Sequence, residues 1–239
     1  GTIAPVGLLA ITQKNQLKAF AITDINITSA CLDIVRLSKK TSLKPVLGVD
    51  FRNGADQQFV LLAKNNNGFQ NINAYLSSFL HQKEFEIPKQ PEIKLKNCLA
   101  IYPFQKGKEF NLKPNEFLGV SPKDLNALKF SRWKRFQDKL VILKTVSFQN
   151  KKGFNIHRLL RAIANNCLLS KLPKSEEGQL NDIMMPVEEL YRVYREFPQI
   201  IKNTKLLLET CSIDFQIPAK TPNNQRTYTK NQELDFRLL

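Results

Sequence analysis

Ala19-Phe20-Ala21-Ile22-Thr23-Asp24, the segment Asn26 to Thr41, and Leu43-Lys44-Pro45-Val46-Leu47-Gly48-Val49-Asp50-Phe51 decide the fold. They read as strand, helix, strand. Both apolar runs are short and carry a carboxylate at or near the end, the form of buried parallel strands that deliver side chains to the carboxyl rim of a sheet or barrel. Asp24 and Asp50 are therefore expected close together at one rim, where α/β folds place their sites. Asn26 or Thr28 is positioned to cap the intervening helix, whose apolar positions Ile27, Cys31, Ile34, Val35 and Leu37 follow 3-4 spacing.

Upstream, Pro5 suits a first helical turn and Leu8, Leu9, Ile11 and Leu17 form a helical stripe ending near Lys18. Downstream, Asn53-Gly54 signals a hairpin into Phe59-Val60-Leu61-Leu62-Ala63, one antiparallel excursion in a βα pattern. Phe69, Ile72, Tyr75, Leu76 and Phe79 mark a helix, with His81 as its C-terminal cap or a surface residue. Lys83 to Leu95 reads as a loop. Cys98-Leu99-Ala100-Ile101-Tyr102, Phe117-Leu118-Gly119-Val120 and Leu140-Val141-Ile142-Leu143 read as strands, and Ser121-Pro122 opens a helix over Leu125 and Leu128.

Beyond residue 150 only helices are predicted, lined by Ile156, Leu159, Leu160 and Ile163, then Val187, Leu190 and Val193, then Ile200, Ile201, Thr204, Leu207 and Leu208. Between the first two lies a long loop, Lys171 to Met185. The polar tail from Ile217 ends in Leu234, Phe236, Leu238 and Leu239, which read as an element cut short, so a piece of a longer protein is expected.

The 239 residues, 42% apolar, suffice for a barrel-sized domain with a helical appendage. No apolar run reaches the roughly 20 residues of a membrane span, and a cytoplasmic protein without membrane partners is expected. Cys31, Cys98, Cys167 and Cys211 lack metal-binding spacing and read as buried reduced thiols. The formal charge is +15, and its excess lies in the middle: residues 83–174 hold 20 Lys and Arg against 7 Asp and Glu. Such a field suits a polyanion such as DNA, or serves solubility.

Ala21-Ile22-Thr23-Asp24 and Leu43 to Asp50 resemble the second and third motifs of the polymerase and histidinol phosphatase (PHP) domain, in the version found in bacterial DNA polymerase III alpha subunits. Phe59 to Asn71 resembles that subunit's strand ending in Ala-Lys before a Gly-aromatic turn. Asn155 to Ala164 and Glu196 to Cys211 resemble its helices leading towards the palm. The resemblance implies an α/β fold: a distorted seven-stranded β/α barrel over residues 1–150, a helical segment over 151–215 that completes it, and a linker or the start of another domain over 216–239.

Active members of the family hold a metal cluster with His, Asp and Glu at the carboxyl rim. This sequence departs from that pattern. Ile25 stands where the second motif has histidine, and Asp50 where the third has glutamate. The His-x-His first motif would lie before Gly1. Ser147 takes the place of the late histidine in the segment Lys144-Thr145-Val146-Ser147. The remaining histidines, His81 and His157, fall off the rim. Asp24 and Asp50 read as vestiges, Asp24 accepting backbone hydrogen bonds in its turn, or as weak Mg²⁺ ligands.

Phe130-Ser131-Arg132-Trp133-Lys134-Arg135-Phe136 interleaves cations and rings, either to follow a nucleic-acid strand or with Trp133 and Phe136 packed under the barrel. Lys151, Lys152, Arg158 and Arg161 form a second basic cluster, for DNA or for a neighbouring domain. The expected function is an N-terminal scaffold domain of a DNA polymerase III alpha-like polymerase, with no catalytic residues or cofactor of its own. The parent would use Mg²⁺ in a palm beyond Leu239, and its partners would be the rest of the polymerase chain, DNA and a separate proofreading nuclease. The alternatives are a metal-dependent phosphoesterase of the same superfamily (histidinol phosphatase-like or a 3′-5′ proofreading exonuclease) and a nucleic-acid-binding module.

Overall fold

In the computed structural model, which describes residues 2–82, 85–91, 96–105, 107 and 111–215, helix α1 (Pro5–Lys14) starts on its proline and feeds strand β1 (Ala19–Ile25). Helix α2 (Cys31–Ser38) crosses to β2 (Lys44–Asn53), which pairs with β1 in parallel. Gly54, at φ 58°, takes the left-handed turn that returns the chain as β3 (Asp56–Ala63), antiparallel to β2. Asn65 caps α3 (Asn66–Leu80) by accepting from the Gly68 N–H, and His81 follows at the C-terminal cap. Strands β4 (Cys98–Pro103), β5 (Glu116–Val120) and β6 (Leu140–Ile142) extend the sheet. A Ser121–Asp124 capping box opens the turn into α4 (Leu125–Lys129). Helices α5 (Lys151–Ala164), α6 (Val187–Val193) and α7 (Pro198–Glu209) complete the described fold.

The result is an α/β fold with six strands in the order β1-β2-β3-β4-β5-β6 among the described residues, curled into part of a barrel. The expected seventh strand is not among them. The tail 216–239, and residues 83–84 and 92–95 of the predicted loop, lie outside the described residues. The predicted helix from Asn26 starts later, at Cys31. Asn26 stands at φ 52° and uses its side chain across the strands, so it cannot cap α2.

Alternation along β2 divides the core. Leu47 packs with Phe20, Ile22, Cys31 and Ile34 under α1 and α2, while Val49 and Phe51 join Phe59, Ile72, Tyr75 and Tyr102 under α3. On the concave side Val46 meets Val60, Leu62, Leu99, Ile101 and Val141, and α7 supplies Leu207 and the following Cys211. Gly48 lies in this tight layer: a Cβ there would fall 2.1 Å from the Leu61 carbonyl oxygen.

Helix α7 is fastened to β6 by polar groups. Asn203, 8% exposed, donates to the carbonyls of Gln137 at 2.6 Å and Leu140 at 2.8 Å and accepts from Gln199 at 2.7 Å. The Ile142 N–H donates to Thr204 Oγ1 at 2.8 Å. Because Asn203→Ala leaves the buried Leu140 carbonyl without this donor, while Gln137 keeps the Leu140 N–H, it is expected to cost about 2 kcal/mol, read as a lower urea midpoint at unchanged slope.

Candidate functional site at the carboxyl rim

The carboxyl ends of β1 and β2 meet in register, with Asp24 beside Val49 and Ile25 beside Asp50. Registered parallel neighbours share a face, so Asp24 lies on the convex side and Asp50 on the concave side. The two carboxylates occupy one rim, as the sequence predicts, but opposite faces of it. The alternation of side chains separates them. Ile25, half exposed, shares the concave face with Asp50.

Asp50 is 4% exposed and its carboxylate is fully engaged. Arg52 donates to Oδ2 from Nε at 2.9 Å and from Nη2 at 2.7 Å, and Gln57 Nε2 donates to Oδ1 at 2.9 Å. Strand spacing brings Arg52 to the face of Asp50, and the irregularity after Phe51 sets Gln57 opposite Arg52. A bidentate guanidinium with an amide on the other oxygen satisfies a buried carboxylate well. Neither Arg52 nor Gln57 stands out in the sequence as a site residue; the Asp-x-Arg spacing on one strand was the available signal.

The turn after β1 is held by Asn26 rather than by Asp24. Asn26 Nδ2 donates to the Arg52 carbonyl at 2.8 Å, its Oδ1 accepts from the Arg52 N–H at 3.0 Å, and its own N–H donates to the Asp50 carbonyl at 3.0 Å. The Asp24 side chain makes no hydrogen bond among the described residues, which corrects the expected role. Burial holds its carboxyl above the usual range. Burial and then the charge of Asp24 push the Cys31 thiol up to about 12. Cys31, Cys98 and Cys211 are buried free thiols, and Cys167 is half-buried.

Beside this rim, between β1 and the segment after β6, lies a cleft of about 1030 Å³. Its ladder with β2 starts at Lys44 N–H to Lys18 C=O and ends at Asn26 N–H to Asp50 C=O. The even-numbered residues of β1 therefore serve β2, and the backbone groups of Ala19, Ala21, Thr23 and Ile25 face the other way, along the cleft. Lys144 lines the cleft too, donating to the Thr145 and Asn181 carbonyls and standing 3.9 Å from Asp182. Its pKa is lowered by burial first, against the charge of Asp182. Ser147 is tied through its backbone to Asp182 and Thr2. His157 sits in tilted contact with Phe148, 5.1 Å between ring centres, and burial lowers its pKa.

No group of three or more His, Cys, Asp or Glu suited to a metal occurs among the described residues. The donors at this rim do not fit a multinuclear centre. One carboxylate is on the wrong face, the other is bonded to a guanidinium, and an isoleucine holds the position between them.

The basic segment forms a 3₁₀ turn over Arg132–Arg135. Trp133 is buried in the main core, while Phe136, in edge contact with it at 6.1 Å, is half exposed and Phe130 is 90% exposed. Arg132 lies over the Trp133 ring, and Lys134 and Arg135 are exposed. Lys151 and Lys152 are exposed at the start of α5. Arg158 and Arg161 are ion-paired with Glu177 and Glu176, a use the sequence reading did not foresee.

Two outcomes follow for the rim. Arg52→Met strands a buried carboxylate and is expected to cost about 3 kcal/mol in urea unfolding, with Asp50→Asn in the same chain recovering most of the loss. The raised pKa of Asp24 means that the native state holds that proton more tightly than the unfolded chain. Its stabilising contribution is complete below the ordinary Asp range and is lost as pH rises through the folded value. Asp24→Asn should therefore raise the urea midpoint at pH 7 and give no such gain at pH 3.

Residues 1–107 match the sequence model of the PHP domain. The chain is also similar to the DNA polymerase III subunit alpha of Halalkalibacterium halodurans (20% identical, covering 88% of this chain and 22% of that protein) and of Haemophilus influenzae (22% identical, 88% and 21%). The subunit from Bacillus subtilis is 23% identical, over 83% of this chain and 20% of its own length. The chain thus spans about one-fifth of the length of these curated relatives. Residues 1–107 form a PHP domain, in a chain homologous over most of its length to DNA polymerase III alpha subunits.

Proposed function

We propose that this chain is the N-terminal scaffold region of a DNA polymerase III alpha-like DNA polymerase, without phosphoesterase activity of its own. The observation that carries the reading is the extent of the similarity: the PHP match ends at residue 107, whereas the likeness to polymerase subunits covers 83–88% of the chain. A free-standing phosphoesterase of the superfamily would share the first match without the second. The rim chemistry supports the inactive state, since Arg52 gives Asp50 the positive partner that a metal would otherwise provide.

On this reading, polymerisation belongs to a palm elsewhere in a longer polypeptide, where Mg²⁺ is the cofactor. The partners are the remainder of that polypeptide, DNA and a separate proofreading nuclease, and the compartment is the cytoplasm. No helix among the described residues is long and apolar enough to cross a membrane. The exposed cations Lys134, Arg135, Lys151 and Lys152 are the candidates for DNA or interdomain contact. The seven-stranded barrel of the family belongs to the same proposal: the open edge of β1 along the cleft would pair with one further strand.

The test joins metal analysis by plasma mass spectrometry to hydrolysis of a 3′-labelled single strand, on this chain and on the natural gene product that contains it. The gene product is expected to extend a primed template with Mg²⁺. This chain is expected to hold far less than one Zn or Mn per molecule and to leave the strand intact. Stoichiometric metal with cleavage abolished by Asp50→Ala would overturn the scaffold reading in favour of a phosphoesterase.

A further inference from the structure

Helix α5 is turned inside out. The stripe that a soluble helix ordinarily buries faces solvent: Ile156, Leu159, Leu160 and Ile163 are 43%, 51%, 53% and 66% exposed. The charged side faces the protein. Arg158 Nε donates to Glu177 Oε1 at 2.9 Å, and Arg161 pairs with Glu176. The Glu177 side chain is 8% exposed, and Ala162 beside these arginines is buried. These hydrogen-bonded ion pairs, with the rings of Phe154 and His157 against Phe148, fix the rotation of α5 about its axis. Burying the aliphatic stripe on this domain would break both.

The stripe at 156, 159, 160 and 163 has the spacing of a helix-packing ridge, about 10 Å long, which fits the groove of another helix. Its surroundings are cationic. From 145 to 175 the sequence holds six Lys and Arg and no Asp or Glu. Glu176 and Glu177 are engaged by Arg158, Arg161 and Lys174, while Lys151, Lys152 and Lys171 are exposed. A second copy would bring the same cations and another +15, which opposes self-association. The polymerase relatives continue for about four-fifths of their length outside the matched region.

We propose that α5 presents this stripe to an amphipathic α-helix flanked by carboxylates, supplied by the remainder of a longer polypeptide that contains this chain. The inference rests on the polymerase reading and names the surface through which the scaffold engages its parent. Hydroxyl-radical footprinting would compare the natural gene product with the 239-residue chain, each at two concentrations, and carbodiimide coupling would join Lys to adjacent carboxylates. Expected are labelling of Leu159, Leu160 and Ile163 several-fold lower in the gene product than in the short chain, and a cross-link from Lys151, Lys152 or Lys171 to a carboxylate outside this sequence. In the gene product, Leu159→Asp with Ile163→Asp should restore labelling at Leu160. Equal labelling in both proteins, concentration-dependent protection in the short chain, cross-links only within residues 1–239, or a gene product no longer than this chain would each overturn the proposal. None of these readouts uses activity, so a footprint with no primer extension rejects the polymerase reading alone, and the converse rejects the docking surface alone.

Discussion

A curled sheet has a concave face that must be filled, and here one helix from late in the chain fills it. Val46, Val60, Leu62, Leu99, Ile101 and Val141 come from strands spread over nearly a hundred residues, and their cover arrives only with Leu207 and Cys211. The fold is therefore incomplete until α7 docks. Asn203 and Thr204 bring it to β6, satisfying the edge groups of that strand with side chains rather than with another strand. After α7 the chain is tied back to the start of α3, where Asn66 exchanges hydrogen bonds with the backbone of Asp214. With α7 held against β6, the seam between β6 and β1 stays open as the cleft, and β1 keeps one edge unpaired among the described residues.

The same geometry governs the rim. Parallel strands in register give each face alternate residues, so the concave rim position of β1 is that of Ile25 and not of Asp24. Asp50 does reach the concave side, where burial without a partner would be costly, and the chain supplies the counter-charge two residues later on the same strand. Arg52 also donates its backbone N–H to Asn26, so one residue neutralises the rim and closes the β1 turn. A centre built to bind cations leaves its carboxylates convergent and unsatisfied; here Asp24 and Asp50 lie on opposite faces, and Asp50 is engaged by Arg52 and Gln57.

The strand-helix-strand core was legible because each signal was local. Short apolar runs, the Asn53-Gly54 turn and Pro5 at a helix start all act within a few residues, and β1, β2, β3 and α1 lie where they point. The rim was half legible. Asp24 and Asp50 do end up at the same end of neighbouring strands, but their faces depend on the register of one strand against the other, which neither strand encodes alone. Asn26, like Thr28, has the residue type of a cap. Its actual partner, Arg52, lies 26 positions away, and competition from that contact delays the helix to Cys31. The spacing of Trp133 and the cations around it fits either a strand-following surface or a packed ring, and the ring lies in the core while Lys134 and Arg135 are exposed.

Helix α5 shows where periodicity stops being sufficient. Its aliphatic spacing identifies a helix and a stripe, and the usual step from stripe to core is a statement about what else lies nearby. Here the nearest elements offer Glu176, Glu177 and the buried Phe148, and charge-assisted hydrogen bonds to Arg158 and Arg161 orient the helix together with the Phe154 ring against Phe148. Four branched side chains exposed at helical spacing form a patch of the kind that marks interaction sites. The amphipathic pattern thus identifies the helix and its stripe and is silent about the owner of the opposing surface.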